Sequence, residues 1–201
     1  MKSFTYFFIL TALFSIQNES IAQDIELHNF YKNYWKMTQR SIQYLKKGEI
    51  LVDSNVSSDQ KKQVFHMKVA AVHPKKCSKV LRKLSLFESY KDWISFIKSS
   101  NYNKRQRLLT IKANHTLLPY PMVVHVIVKR PKSPGIYPFY FPTGIFAGLK
   151  GEMVIKDTAN KCTFFSKSYW SGKKKLPDFA VELFSETLTQ IAGSTLFRKI
   201  Q

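Results

Sequence analysis

Five histidines are the side chains in this 201-residue chain best suited to bind a metal or to carry a proton near neutral pH. No two of them have the spacing of zinc ligands, so the sequence predicts no metal site and no cofactor. His125 stands apart, because Val123, His125 and Ile127 share one face of an apolar strand. It is either a proton carrier, or a histidine that is structural or faces outward.

Other catalytic patterns are missing from the sequence. There is no GxSxG nucleophile motif, and the glycines of "GIFAGLKG" (144–151) lack the lysine and serine of a phosphate-binding loop. Asp178, Glu182 and Glu186 lie on the polar face of a predicted helix, where solvated charges are expected. The sequence therefore predicts no catalytic residue.

Cys77 and Cys162 are the only cysteines, 85 positions apart. The predicted helix around Cys77 places this residue on its apolar side. The two residues form either one disulfide or two buried thiols, and the sequence leaves both alternatives open.

The N-terminus has the pattern of a secretory signal peptide. Lys2 precedes an apolar run from Phe4 to Ile16, and small residues follow at Ser20 and Ala22. We expect residues 1–22 to be removed by cleavage after Ala22, and the protein to be exported to the periplasm or secreted.

The chain is strongly basic, with a formal charge of +19, and no acidic residue lies between Asp92 and Glu152. Such a surplus attracts polyanions. For an exported protein we expect the partner to be an anionic membrane surface rather than nucleic acid. The alternative is that the lysines are simply solvated. The sequence does not indicate an oligomeric state.

Hydrophobic periodicity predicts the elements that would position these residues. A helix is expected over 27–45, packed on the domain or lying on a membrane surface. Two strands (48–54 and 64–72), two helices (73–84 and 87–97) and four further strands (107–113, 122–130, 151–157 and 162–170) follow. The aromatic, proline-rich segment 130–148 is predicted to be a loop that covers apolar surface.

The last segment predicts a long amphipathic helix after Pro177. Ala180, Phe184, Leu188 and Ile191 fall on its apolar face, and its acidic residues fall opposite. Glu182 near its start and Lys199 at its end suit the helix dipole.

These elements resemble START-like (polyketide cyclase-like) domains. The similarity lies in "VAAVHPKKCSKVLRKLSLFESYKDWISFIKSSNY" (69–102), "LPYPMVVHVIVKR" (118–130), "GLKGEMVI" (148–155), "CTFFSKSYW" (162–170) and the closing helix. It implies an α+β helix-grip fold, in which a curved antiparallel sheet wraps the last helix. The implied organisation is a helical extension over 23–47 and a START-like domain over 48–201.

The resemblance also implies an apolar cavity that binds a lipid or another hydrophobic small molecule without catalysis. Its expected lining is Ile111 and Ile127 on the sheet, Phe184, Leu188 and Ile191 on the helix, and Tyr137, Phe139, Phe141 and Phe146 at the mouth. The alternative is a polyketide cyclase or aromatase-like enzyme in the same cavity, with His125 or Tyr169 as its proton carrier.

Overall fold

An eight-stranded antiparallel sheet in the order β1-β2-β8-β7-β6-β5-β4-β3 organises the computed structural model, which describes residues 25–116, 121–144, 146–173 and 177–200. The strands are β1 (Leu51–Ser58), β2 (Lys62–His73), β3 (Ile97–Asn103), β4 (Leu108–Ala113), β5 (Met122–Val128), β6 (Gly135–Tyr140), β7 (Lys150–Thr158) and β8 (Lys161–Lys173). The predicted α+β class is confirmed. The predicted signal peptide lies outside the described residues.

Five helices accompany the sheet in the described part of the chain. They are α1 (residues 25–31), α2 (Gln39–Lys46), α3 (Cys77–Leu84), α4 (Tyr90–Trp93, after a 3-10 turn at Phe87–Ser89) and α5 (Asp178–Ile200). No helix within the described ranges combines the length and apolar character needed to cross a bilayer.

The prediction of one helix over 27–45 is wrong, because the chain leaves the helix after residue 31 and starts α2 at Gln39. Thr38 accepts a hydrogen bond from the backbone N–H of Ser41 (3.1 Å) and caps the new helix. The apolar residues before and after this break continue the same helical period, so the period alone could not reveal the break.

The prediction of a continuous loop over 130–148 is also wrong, since β6 lies within it. Pro138 cannot donate a backbone hydrogen bond. β6 tolerates it because pairing with β5 is confined to Tyr140 and Phe139, and Pro138 lies just beyond them.

Strand register defines two faces of the sheet, because directly opposed residues point to the same side. One inner row crosses five strands through Val52, Val69, Ser166, Met153 and Tyr137. One outer row crosses six strands through Asn55, His66, Tyr169, Lys150, Tyr140 and Ile127. The inner face packs against the helices α3, α4 and α5 in the main hydrophobic core.

Helix α5 runs along β1, and its polar side faces that strand. Asp178 accepts hydrogen bonds from Ser58 Oγ and from Gln63 Nε2, and Glu186 accepts them from the N–H (3.2 Å) and Oγ (3.0 Å) of Ser54. The expectation that these carboxylates are only solvated is therefore wrong. They attach the helix to the edge of the sheet.

The N-terminal helices, residues 25–47, cover part of the outer face. Leu27, Tyr31, Ile42 and Leu45 are fully buried there, so this segment packs on the domain, as one of the two sequence alternatives held. The Tyr31 hydroxyl links this segment to the sheet, because it lies within donating distance of the carbonyl oxygens of Ala71 (2.8 Å) and Phe164 (3.1 Å).

Cys77 and Cys162 form a disulfide, which decides between the two alternatives left by the sequence. The bond joins the start of α3 to the start of β8. Both residues are fully buried in the main core, as the predicted orientation of Cys77 requires. The disulfide thereby holds α3 and β8, which are far apart in the chain, together beneath the end of α5.

His73 lies opposite Cys162 at this end of the sheet and is fully buried against the Phe197 ring (5.2 Å). Its Nδ1 accepts a hydrogen bond from the N–H of Lys75. Burial lowers the pKa of His73, and the backbone of Phe197 opposes part of this shift. The folded protein therefore favours the neutral imidazole.

We expect stability to fall as the pH drops below about 6.5, the usual histidine pKa, because the unfolded chain then binds a proton that folded His73 resists. Urea denaturation at pH 7.5, 6.5 and 5.5 would measure this loss. The variant His73→Gln should show a shallower decline over that range. Parallel pH profiles for the two proteins would refute this role of His73.

Candidate functional site

The region between α5 and the inner face of the sheet is where the sequence predicted a ligand to bind. On the helix, Leu188 and Ile191 face the main core but remain only half-buried. On the sheet, Ile111 is likewise half-buried and faces the same core. Phe184 lies on α5, but its side chain lies outside the described residues. Apolar side chains from helix and sheet thus face each other without full burial.

Sequence reasoning missed several residues with the same environment. Among them, Val126, Met153 and Leu196 are also half-buried against the main core. Val126 was missed because Ile127 was chosen in its place. Ile127 pairs with Tyr140 and Leu108 on the outer face and is 39% exposed. We therefore exclude Ile127 from the candidate lining.

The reason for this error lies in β5, which reads MVVHVIV and is apolar at nearly every position. Alternation identifies the inner face of a strand only when the other face is polar. The alternation of β4 fixes Ile111 and Leu109 on the inner side, and cross-strand pairing then assigns Val126, opposite Leu109, to the same side.

The residues predicted at the mouth separate into two places. Tyr137 is buried in the main core, and its hydroxyl donates to the Ser133 carbonyl (2.6 Å). The others join an aromatic cluster near the start of α5 whose members are Phe65, Trp170, Phe139, Phe141 and Phe146. Trp170 holds the adjoining loop through a hydrogen bond from Nε1 to the Ala147 carbonyl (3.0 Å).

The aromatic cluster surrounds Val181, which is buried in the first turns of α5. Phe146 meets Trp170 edge to face at 5.6 Å, and Phe139 meets Phe141 in a similar way at 6.2 Å. The segment predicted to cover apolar surface does so here, at the end of the helix opposite the disulfide.

The two residues that the enzyme hypothesis names as proton carriers lie on the outer face. His125 Nδ1 contacts Thr110 Oγ1 (3.1 Å), and Tyr169 packs against the His66 ring and is 38% exposed. Neither residue faces the space beneath α5. Within the described ranges, no group of three His, Cys, Asp or Glu side chains is placed to hold a metal ion.

Comparison with known proteins gives structural matches only. No protein-family model matches the sequence, and no curated protein matches it. The aromatase/cyclase ZhuI from Streptomyces sp. R1128 superposes with a TM-score of 0.57 at 8% identity, over 68% of this chain and 93% of that one. Ara h 8.0201 gives a TM-score of 0.54 at 10% identity, over 68% and 97%.

The chain has a START-like helix-grip fold. A START superfamily protein from Mycobacterium smegmatis is a further match, with a TM-score of 0.49 at 16% identity, over 75% of this chain and 97% of that one. At sequence identities this low, a shared START-like fold does not show that the chain shares an activity with these proteins. Function has to be argued from the residues around α5.

Proposed function

We propose that this START-like protein is exported and binds a lipid or another hydrophobic small molecule between α5 and the inner face of its sheet, without catalysing a reaction. Its basic surface would bring it to anionic membranes, where the ligand is collected or released. The observation that carries the proposal is the half-buried apolar lining on both sides of this space, at Ile111, Val126, Leu188 and Ile191.

Apolar burial supplies the driving force for such binding. At ~25 cal/mol per Å², each 100 Å² of acyl chain removed from water contributes about 2.5 kcal/mol without any polar contact. Polar groups near α5, such as Glu186 and Ser54, already bond to each other. Selectivity would therefore rest on the length and width of the ligand.

Two features support export. The apolar run from Phe4 to Ile16 has the length of a signal-peptide core, and the chain contains a disulfide, which persists outside the reducing cytoplasm. N-terminal sequencing of the protein recovered from its native host tests the proposed cleavage after Ala22. A mature protein that retains residues 1–22 would contradict export by this route.

Binding can be tested with a fluorescent fatty acid such as cis-parinaric acid, whose emission rises in apolar surroundings. The wild-type protein should bind it saturably, and Val126→Phe should weaken binding by about tenfold, because the added ring fills space beneath α5. Organic extraction of the native exported protein should also yield a stoichiometric lipid, identified by mass spectrometry.

Ile127→Phe is the matched control, since it makes a similar change one residue along the same strand but on the outer face. It should leave binding of the probe unchanged. Circular dichroism should show that both variants are folded. Equal weakening by the two variants, or no saturable binding by the wild-type protein, would contradict an interior site.

A further inference from the structure

The outer face of the sheet carries exposed apolar residues next to the area covered by the N-terminal helices. These residues form the outer patch, with Val123, Ile127, Ile136, Tyr140 and Tyr169. Ile136 is 63% exposed and Tyr140 is 44% exposed. Ile127 and Tyr140 are directly opposed on neighbouring strands, and Tyr169 lies in the same cross-strand row. Exposed apolar residues grouped in this way on a sheet face are typical of an interaction surface.

Lysines lie between the members of the outer patch. Lys150 separates Tyr140 from Tyr169 in one cross-strand row, and the next row brings Lys167 and Lys68 together on neighbouring strands. All three lysines are exposed. The apolar and cationic side chains therefore share one face and point the same way.

A groove of about 520 Å³ lies along this face between the two rows. Its walls include Lys68, Lys150, Lys167 and Tyr169, and its one acidic residue, Glu152, is paired with Lys167 at 3.0 Å. The groove therefore carries a net positive charge. Lys68 also borders a second groove of about 380 Å³, which extends the basic surface over the N-terminal helices.

We propose that the outer patch and its three lysines dock the protein onto a bilayer containing anionic phospholipids. This assignment rests on the proposed function, because it locates the membrane-binding surface which that function requires. Lysines near an anionic bilayer contribute by attracting headgroup phosphates. Tyrosines favour the interface between headgroups and acyl chains, and isoleucines such as Ile136 enter the acyl region.

The observations favour a bilayer over other partners. A second copy of this chain would bring two strongly basic faces together, given the charge of +19. An anionic polysaccharide would use the lysines and the tyrosines, but it offers nothing apolar to Ile127 or Ile136. A bilayer with anionic headgroups uses all three kinds of side chain.

Co-sedimentation with vesicles tests the electrostatic contribution of the three lysines to membrane binding. The full exported protein should bind vesicles of 30% phosphatidylglycerol in phosphatidylcholine at low salt and should not bind pure phosphatidylcholine. The variant Lys68→Gln/Lys150→Gln/Lys167→Gln should lose affinity on the order of 100-fold. The control Lys98→Gln/Lys104→Gln/Arg105→Gln removes the same charge from β3 and the β3–β4 turn and should lose less than about threefold.

A second pair of variants tests the apolar part without changing charge. Ile136→Ser/Tyr140→Ser should weaken vesicle binding about tenfold. Phe179→Ser is the control, since Phe179 is 72% exposed on α5, away from the patch. It should leave vesicle binding unchanged.

Binding of cis-parinaric acid should persist in every one of these variants, so failure of the interior site and failure of the docking face give different results. Equal losses in the patch and control variants, or unchanged binding after the patch substitutions, would overturn the proposal. So would binding to dextran sulfate with no binding to the anionic vesicles, which would assign the face to a polysaccharide.

Discussion

Replacing Cys77 and Cys162 together by alanine is expected to lower the free energy of unfolding by about 4.5 kcal/mol. The disulfide closes a loop of 85 residues, and in the chain-entropy model its loss frees the unfolded chain across that whole loop. This is a large part of the 5–15 kcal/mol typical of a domain. Urea denaturation of the variant and of the wild-type protein measures the difference.

Reduction of the wild-type protein by dithiothreitol is the matched control, because it opens the bond while keeping the side-chain volume. It should cause a loss similar to that of the double variant. A change below about 1 kcal/mol in both experiments would show that the disulfide does not constrain the unfolded state as its loop length implies.

Tyr31→Ala is expected to cost about 3–5 kcal/mol of stability, which is typical for removing a buried aromatic ring. Tyr31, the last residue of α1, is fully buried against the sheet, and burial raises the pKa of its hydroxyl, which therefore stays protonated and donates a hydrogen bond. Tyr31→Phe keeps the ring and should cost only about 1 kcal/mol. Urea titration of both variants separates the two contributions.

Asn29→Ala on the same helix is the control, because Asn29 is exposed. It should change stability by less than about 0.5 kcal/mol. If Tyr31→Ala were equally mild, the N-terminal helices would not be part of the cooperative fold. The predicted boundary between residues 47 and 48 would then also separate two units of stability.

The sequence predicted the elements that have a single apolar face. α3, with Cys77, Val80, Leu81 and Leu84 on one side, was predicted by its period, and its buried residues are these four. β2 was predicted because Phe65 and Met67 alternate with outward polar residues. Where one face is plainly polar, the period determines both the element and its orientation.

The predictions failed for elements in which both faces are apolar or both faces contact the rest of the protein. β5 is apolar on both sides because its outer face is also apolar at Val123 and Ile127. The acidic side of α5 looked solvent-exposed, yet Asp178 and Glu186 bond to β1. Contacts of this kind depend on tertiary placement, which periodicity along one segment does not contain.

The contact between Glu186 and the backbone N–H of Ser54 has a consequence for aggregation. β1 is an edge strand, and an edge with free N–H groups can recruit a strand from another molecule. Here α5 occupies one of those donors and covers the strand. At the opposite edge, the β3–β4 register shifts between Ile97 and Ser99, and the exposed Lys98 lies at the shift. Both edges of the open sheet are thus protected against intermolecular strand pairing, one by a helix and the other by an irregularity with a charge.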